Sequence, residues 1–167
     1  MKVLIIGGGG VIGQKLARKL ADRGYLRGAD IAHMTLADVV NPAPITAGFP
    51  VDVVRVDISD RASVDKLIAG RYDVIYLLAA IVSAHAEEDF DAGMNINLFG
   101  SYHVFEAVRA LGTKPVIVFS SSVAVYGGEV PDPIEDHTFL NPQTSYGTQK
   151  AIGELLLNDY SRKGYFD

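Results

Sequence analysis

The sequence predicts an α/β fold, a doubly wound parallel sheet of five strands, over its 167 residues. Short apolar segments typical of buried strands alternate with helical patterns of about ten or more residues. The run at residues 74–82 is almost wholly apolar, as expected for a central strand covered on both faces. Glycine, acidic and small polar residues follow the strand ends, where such sheets bind ligands. Strands joined through helices run parallel, with right-handed crossovers.

The elements follow in order along the chain. The predicted strands begin with residues 2–6 and continue with residues 32–37, 51–56, 74–79 and 115–119. The predicted helices run from Val11 to a stop at Gly24, from a cap at Ser59 or Asp60 through Ile68, from 86 to 111 with a stop at Gly112, and from 146 to 160. Side chains spaced three and four apart, serine or aspartate caps and terminal glycines support these helices.

The glycine-rich turn after the first strand is a candidate anion site. Gly7, Gly10 and Gly13 form G-x-x-G-x-x-G, while Gly8 together with the last two forms G-x-G-x-x-G. Glycines let backbone N–H groups approach a phosphate, and the following helix directs its positive end toward it. The predicted ligand is a dinucleotide, against the alternative of a turn that binds nothing. A P-loop is excluded because Gln14 stands where that motif requires lysine.

Acidic and small residues follow the next strands. Asp38 ends the second strand about 25 residues after the turn, where dinucleotide folds hydrogen-bond the adenosine ribose. A carboxylate there repels a 2′-phosphate, and no Arg or Lys follows it directly, so the predicted cofactor is NAD rather than NADP. Asp57 and Ile58 are expected under the adenine, and Ala79 and Ala80 leave room for the cofactor. The alternative for Asp38 is an ordinary turn residue at a strand end.

Composition excludes several classes of function. The net charge is −5 and there is no basic run, which argues against a nucleic-acid or anionic-membrane partner. Without cysteines, disulfides, thiolate catalysis and Cys-ligated zinc are absent, and the four histidines lack metal-site spacing, so no metal site is predicted. No signal peptide is recognised, and no apolar run approaches the roughly 20 residues of a membrane helix. A cytoplasmic protein without membrane contact is expected.

A tyrosine and a lysine open the last predicted helix. Tyr146 and Lys150 are four residues apart, so the helix stacks them on one face. A phenol is a weak base at neutral pH, but a neighbouring ammonium favours its ionised form. Ser120, Ser121 and Ser122 follow the fifth strand and reach the same edge of the sheet. Such a Tyr/Lys pair alone is common on ordinary exposed helices, so its meaning depends on the other motifs.

The order of these motifs resembles the extended short-chain dehydrogenase/reductase superfamily, also called NAD-dependent epimerase/dehydratases, over essentially the whole chain. The motifs that carry the resemblance are Gly7-x-x-Gly10-x-x-Gly13, Asp57-Ile58, the segment Ser120 to Gly127, and Tyr146-x-x-x-Lys150. One departure is Leu77-Leu78-Ala79-Ala80, where many members have a histidine first; that histidine is not catalytic. The resemblance implies a Rossmann fold that binds NAD.

Roles for individual residues follow from the resemblance. Tyr146 is implied to be the general acid or base, Lys150 to bind the nicotinamide ribose and favour the phenolate, and Ser122 to hydrogen-bond the reacting oxygen. The residues expected to bind NAD are Gly7, Gly10, Val11, Ile12, Gly13, Asp38, Asp57, Ile58, Leu78, Ala79, Ala80, Asn97, Ser120, Tyr146 and Lys150. The residues expected to contact substrate are Ser83, Ser121, Ser122 and Tyr146.

A closer resemblance is to the D-erythronate dehydrogenase branch, carried by residues 38–40, 88–91 and above all 142–160. Members of this branch oxidise the C2 hydroxyl of a four-carbon aldonate to a 2-keto acid, which implies a small sugar acid as substrate. A nucleotide-sugar epimerase or dehydratase with tightly held NAD is one alternative, although Val123-Ala124 replaces the acidic pair usual in dehydratases. A non-catalytic NAD-sensing or scaffold protein is another, although the tyrosine and lysine are both present.

Residues 1–167 are expected to form one NAD-binding domain that carries the Ser/Tyr/Lys set. A sixth strand is expected where the chain stops, so the C-terminal substrate-binding portion of longer members is expected to be absent. The final helix carries apolar residues on more than one side. One side should pack on the sheet, and the other should meet helices 86–111 and 146–160 of a second copy in a homodimer. The alternative is that one subunit uses the whole apolar face itself.

Overall fold

The computed structural model describes residues 1–167 and has a five-stranded parallel sheet with helices on both faces. The strands are β1 (Lys2–Ile6), β2 (Tyr25–Leu26), β3 (Ala29–Asp30), β4 (His33–Asp38), β5 (Val51–Arg55), β6 (Val74–Leu77) and β7 (Val116–Phe119). The helices are α1 (Val11–Arg23), α2 (Arg61–Ile68), α3 (Ser83–Glu88), α4 (Phe90–Gly93), α5 (Ser101–Leu111) and α6 (Ser145–Arg162), with a π-helix at Met94–Gly100 and a 3₁₀ turn at Val123–Val125.

The main sheet has the order β5-β4-β1-β6-β7, with every neighbouring pair parallel. This confirms the predicted doubly wound sheet, because the strand order reverses direction at β1. None of the helices combines the length and apolar character needed to cross a membrane. The cytoplasmic location stays a prediction.

Strand β1 lies at the centre of the core. Its side chains alternate between the two sheet faces, and both sets are buried. Leu4 and Ile6 join a cluster with residues of α2 and α5, whereas Val3 and Ile5 join a second cluster with α1. Each face of the sheet therefore has its own apolar core, which explains why β1 and β6 have apolar sequences without polar alternation.

The predicted C-terminal ends of α1 and α5 and the predicted cap of α2 agree with the structure. Gly24 and Gly112 end α1 and α5 with φ of 68° and 67°, a left-handed conformation that glycine adopts without a Cβ clash. At the start of α2, the Asp60 side chain accepts hydrogen bonds from the N–H groups of Ala62 and Ser63. Asp60, rather than Ser59, is the cap.

The antiparallel pair β2–β3 was not predicted from the sequence. Its two-residue turn consists of Arg27 and Gly28, whose φ values are 49° and 82°. Positive φ at both central positions suits a tight hairpin turn. The usual sequence signal for this turn is Asn-Gly or Asp-Gly, and Arg-Gly gives a weaker indication.

The prediction of one continuous helix over residues 86–111 is wrong. The helical region begins at Ser83 and breaks at Asp89, which has φ −126° and ψ 88°. The Asp89 side chain accepts a hydrogen bond from Ala92 N–H at 2.9 Å and so starts a new helix. The π-helix follows, and the Ser101 hydroxyl donates to the Asn97 carbonyl at 2.7 Å within this widened region. Apolar spacing alone did not reveal the break, since it continues across it.

Helix α6 packs on the end of β7 and on the chain that follows it, and two glycines permit close approach. A Cβ on Gly147 would lie 2.1 Å from the Ala124 carbonyl oxygen, and one on Gly153 would lie 2.8 Å from the Phe119 ring. After α6 the chain returns to the sheet. Asp167 N–H donates to the Pro115 carbonyl at 3.0 Å, and Ile117 N–H donates to the Asp167 carbonyl at 2.7 Å, the pattern of a parallel ladder. This is the position at which a sixth strand was expected.

A polar cluster joins α5 to α6. Arg109 donates two hydrogen bonds to the Glu106 carboxylate at 2.8 and 2.6 Å, and Tyr160 of α6 donates a third. The hydrogen bonds from Arg109 lower the pKa of Glu106 to about 2. Burial, followed by the Glu106 hydrogen bond, raises the pKa of Tyr160. The ionised carboxylate therefore stabilises the packing of α6.

Replacing Glu106 tests this cluster. The folded-state pKa lies below the ordinary value of 4.5, so the carboxylate contributes stability above pH 4.5 that is lost as the pH falls toward about 2. Glu106→Gln should lower the free energy of unfolding at pH 7 by about 2 kcal/mol. In urea denaturation the difference from wild type should shrink on acidification. Asp159→Asn, which loses only an exposed pair with Arg162, is the control; equal stability of Glu106→Gln and wild type at pH 7 would contradict the role.

Candidate functional site

A cleft of about 200 Å³ opens at the carboxyl ends of the central strands. It is lined mostly by apolar side chains and includes two carboxylates, the composition typical of a small-molecule site. Eight residues predicted to bind NAD line it: Gly7, Gly10, Asp38, Asp57, Ile58, Leu78, Ala79 and Ala80. The lining residues that the sequence analysis missed are Ile6, Val39, Val56, Ile81 and Ile96. All five adjoin predicted residues in sequence, since Ile96 precedes Asn97.

The three glycines of the motif Gly7-x-x-Gly10-x-x-Gly13 differ in the space that a side chain would meet. Gly7 has φ +93°, and a Cβ there would lie 2.6 Å from Ala79 N. A Cβ on Gly13 would lie 2.2 Å from the Gly7 carbonyl oxygen, so α1 packs directly on the turn. At Gly10 the nearest atom would be 3.4 Å away, which is ordinary contact. The protein itself leaves the space beside Gly10 open, as a bound pyrophosphate requires.

The N-terminus of α1 faces this open space without a protein partner. Gly10 is its cap residue, no side chain caps the helix, and its first turn contains no acidic residue. Val11 and Ile12, predicted to bind NAD, lie in this first turn with side chains 74% and 68% exposed. Their contribution would come from backbone N–H groups, which at a helix start are suited to bind an anion.

The two carboxylates of the cleft are held by backbone N–H groups. Asp38 accepts a hydrogen bond from Gly9 N–H at 2.9 Å and a longer one from Val40 N–H at 3.4 Å. Asp57 accepts from the N–H and the hydroxyl of Ser59 at 2.9 and 2.7 Å. The Asp38 contact ties the predicted ribose-binding residue to the glycine turn. Cofactor contacts by both carboxylates stay predictions.

Lys150 is buried between Tyr146 and the residues Ser120, Ser121 and Ser122, here called the serine segment. Its side chain is 1% exposed, and Nζ donates to the Ser120 carbonyl at 2.8 Å. The same nitrogen lies 4.7 Å from the ring centre of Phe119 and 5.8 Å from that of Tyr146. Burial lowers the pKa of Lys150 to about 8. The structure thus brings the predicted Tyr/Lys pair against the end of β7.

The hydroxyls of the three serines differ in their partners. Ser120 donates to the Leu77 carbonyl at 3.3 Å, and Ser121 donates to the carboxylate of Glu154 in α6. Ser122 instead accepts from Ala124 N–H at 3.2 Å. Its own hydrogen therefore remains available for an oxygen of a ligand. Among the three, Ser122 is the hydroxyl suited to donate to a reacting group.

Asn97 lies away from the cleft lining and is 1% exposed. Its Oδ1 accepts from Ile81 N–H at 2.8 Å, while its Nδ2 donates to the Ile81 carbonyl at 3.3 Å and to Gln149 Oε1 at 2.9 Å. Asn97 thus connects the cleft wall to α6, and direct cofactor contact stays a prediction. Gln149, also buried, is a neighbour of Lys150 that was not predicted from the sequence.

Ser83, predicted to contact substrate, is the half-buried first residue of α3.

A matched pair of glycine variants tests the cleft as the cofactor site. Gly10→Ala adds a methyl group into space that the protein leaves open, so thermal stability should be unchanged within about 0.5 kcal/mol while NAD affinity falls at least about tenfold. Gly13→Ala should instead destabilise the fold by about 2 kcal/mol or more, because its Cβ meets backbone. Calorimetric NAD titration and thermal denaturation of both variants separate the effects. Undiminished NAD binding by Gly10→Ala would place the cofactor elsewhere.

Comparison with known proteins gives the same fold and cofactor. The sequence model of the family described as "NAD dependent epimerase/dehydratase family" matches residues 3–167. D-erythronate dehydrogenases of Cupriavidus necator and Haemophilus influenzae are 50% and 42% identical to the chain, covering 100% of it and 52% of each relative. The chain therefore spans about half the length of these curated relatives. NAD, which the family description names, confirms the predicted cofactor.

Solved structures show the same likeness. The nucleoside-diphosphate-sugar epimerase from Agrobacterium tumefaciens is 48% identical with a TM-score of 0.96, and the match covers 100% of this chain and 50% of that one. UDP-glucose 4-epimerase of Thermus thermophilus, solved as a complex with NAD, is 27% identical with a TM-score of 0.82, covering 99% of this chain and 52% of that one. Both confirm the predicted fold.

Proposed function

The chain belongs to the NAD dependent epimerase/dehydratase family, and from this premise we propose that it is the cofactor-binding and catalytic part of an NAD-dependent dehydrogenase. The proposed substrate is a small sugar acid of the D-erythronate type, oxidised at its C2 hydroxyl to a 2-keto acid. The observation that carries the catalytic proposal is the buried Lys150 ammonium, held between the Ser120 carbonyl and the Tyr146 ring. The substrate class is supported by the named D-erythronate dehydrogenases.

The side chains have complementary roles in this reaction. NAD, when bound in the cleft, supplies the hydride acceptor. Tyr146 takes the proton of the C2 hydroxyl as a phenolate, and Ser122 donates its free hydroxyl hydrogen to the same oxygen. Gly7, Gly10 and Gly13 hold the pyrophosphate, and Asp38 holds the adenosine ribose.

Lys150 assists Tyr146 through its charge. An ammonium beside a phenol favours the ionised phenol, because it stabilises the negative charge. With a pKa of about 8, Lys150 is mostly charged at pH 7 and loses its charge as the pH rises through about 8. The Ser120 carbonyl accepts one of its hydrogens and orients the group.

A second candidate is a nucleotide-sugar epimerase that keeps its NAD bound between turnovers. The similarity to the Agrobacterium protein titled as a nucleoside-diphosphate-sugar epimerase favours it, and the same Ser, Tyr and Lys would serve. A non-catalytic NAD-sensing protein is the weaker candidate, since Tyr146 and Lys150 are both present and adjacent.

The deciding experiment mixes the full-length protein with NAD and a panel of aldonates and nucleotide sugars, and follows NADH formation. NADH that appears with D-erythronate supports the dehydrogenase. If none of the aldonates produces NADH and a nucleotide sugar is interconverted, the result supports the epimerase.

In the same assay Tyr146→Phe should lower turnover by at least about 100-fold while NAD affinity stays within about twofold. Turnover retained by Tyr146→Phe would refute the assigned acid–base role.

We also propose that the protein forms a homodimer through the helical region 83–111 and α6. Apolar side chains on these elements remain exposed: Phe99 by 45%, Tyr102 by 39% and Leu155 by 62%. Burying these side chains, called the exposed apolar patch, against those of a second copy is favourable. Leu156 and Leu157, by contrast, pack on the core of the same chain.

A charge within this patch tests the dimer. Leu155→Asp would place an unpaired carboxylate in the interface and should convert the full-length protein to a monomer in light scattering at micromolar concentration. Tyr25→Asp, a matched change at the 40% exposed Tyr25 of the β2–β3 hairpin, should leave the oligomeric state unchanged. A wild-type protein that is already monomeric would contradict the interface.

A further inference from the structure

The proposed reactive groups lie on two separate elements. Tyr146 and Lys150 belong to α6, whereas Ser122 belongs to the segment that follows β7. Their relative positions depend on how α6 docks on this segment. Catalysis by positioned groups is sensitive to such docking, since a displacement of about 1 Å can cost about 100-fold in rate.

Close packing brings the two elements together. The contacts that Gly147 makes with Ala124 and Gly153 with Phe119 allow near approach. Van der Waals contacts of this kind have little directionality. Hydrogen bonds between α6 and the serine segment add directional contacts, and one of them is the bond from Lys150 Nζ to the Ser120 carbonyl.

A second hydrogen bond comes from Glu154. Its Oε1 accepts the hydroxyl hydrogen of Ser121. Glu154 lies four residues after Lys150, so the two side chains leave the same face of α6. Two successive turns of the helix therefore hold two successive residues of the serine segment. A hydrogen bond to a carboxylate is also stronger than one between neutral groups.

The geometry points to an indirect effect on Ser122. Ser121 and Ser122 share a peptide bond, and the Ser122 hydroxyl accepts from Ala124 N–H. If Ser121 moves, the direction of the free Ser122 hydrogen changes with it. Glu154 is hydrogen-bonded to Ser121, whereas Lys150 is hydrogen-bonded to the Ser120 carbonyl, so an effect of Glu154 on Ser122 passes through the position of the serine segment.

We propose that Glu154 is a positioning residue, which holds Ser121 and thereby aligns Ser122 with the Tyr146/Lys150 pair. The inference rests on the proposed function for the role of Ser122. It also reassigns Ser121, whose hydroxyl is directed to Glu154 rather than to the substrate.

Steady-state kinetics of the full-length protein test the proposal. Glu154→Ala and Ser121→Ala should each lower kcat about tenfold, with KM for NAD within about twofold. Each variant removes the same hydrogen bond, the one between Ser121 and Glu154, so the double variant should be no slower than either single variant. Glu154→Gln retains an acceptor oxygen and should restore kcat without changing the pH profile. Asp159→Ala, further along α6 and paired only with Arg162, is the control.

Full additivity of the two alanine variants, or a wild-type kcat for Glu154→Ala, would overturn the proposal. A shifted pH profile in Glu154→Gln would show an electrostatic role instead, and would also overturn it.

Hydrogen–deuterium exchange provides a readout that needs no substrate. In Glu154→Ala and Ser121→Ala the amides of residues 119–125 should exchange several-fold faster than in wild type, and in Glu154→Gln they should not. If wild-type protein oxidises no sugar acid, the proposed function fails while this measurement still decides whether Glu154 holds the segment. Unchanged exchange in Glu154→Ala would refute it.

Discussion

The burial of the Lys150 ammonium is the constraint on which the candidate site depends. Removing a charge from water is unfavourable unless other groups replace the solvent. Here the Ser120 carbonyl and the faces of Phe119 and Tyr146 surround the nitrogen. Relative to the ordinary value of 10.5, a pKa of about 8 corresponds to an unfavourable contribution to folding of up to roughly 3 kcal/mol at neutral pH. Between those values the unfolded chain binds more protons, so this unfavourable contribution disappears as the pH rises.

The rest of the fold offsets this contribution. Two apolar cores, one on each face of the sheet, fix β1 and β6 and so fix the strand ends. The hydrogen bond from Tyr160 to Glu106 holds the C-terminal part of α6, and the close contacts of Gly147 and Gly153 hold its N-terminal part. An unfavourable buried charge at a reactive position, supported by a rigid surrounding, is a common arrangement in catalytic sites.

Sequence patterns predicted most of the fold and the strand-end site because the deciding signals are local. Buried strands, helix caps and terminal glycines depend on residues close in sequence, and eight residues predicted at strand ends line one cleft. The break at Asp89 was not predictable, since continuous apolar spacing hides a capping aspartate within a helix. Gln149 and Glu154 were missed because their roles depend on partners far along the chain, Asn97 and Ser121.

The hydrogen bonds through Asn97 have a fixed polarity. Ile81 N–H requires Asn97 to present its oxygen there, and this directs the Asn97 nitrogen to the Gln149 oxygen. The Gln149 nitrogen must then face the interior near Gly93, where it has no partner. If the side-chain amide of either Asn97 or Gln149 rotated by 180°, a donor would face a donor or an acceptor would face an acceptor. The cleft wall therefore determines the orientation of a side chain beside Lys150, across two helices, without any charge being involved.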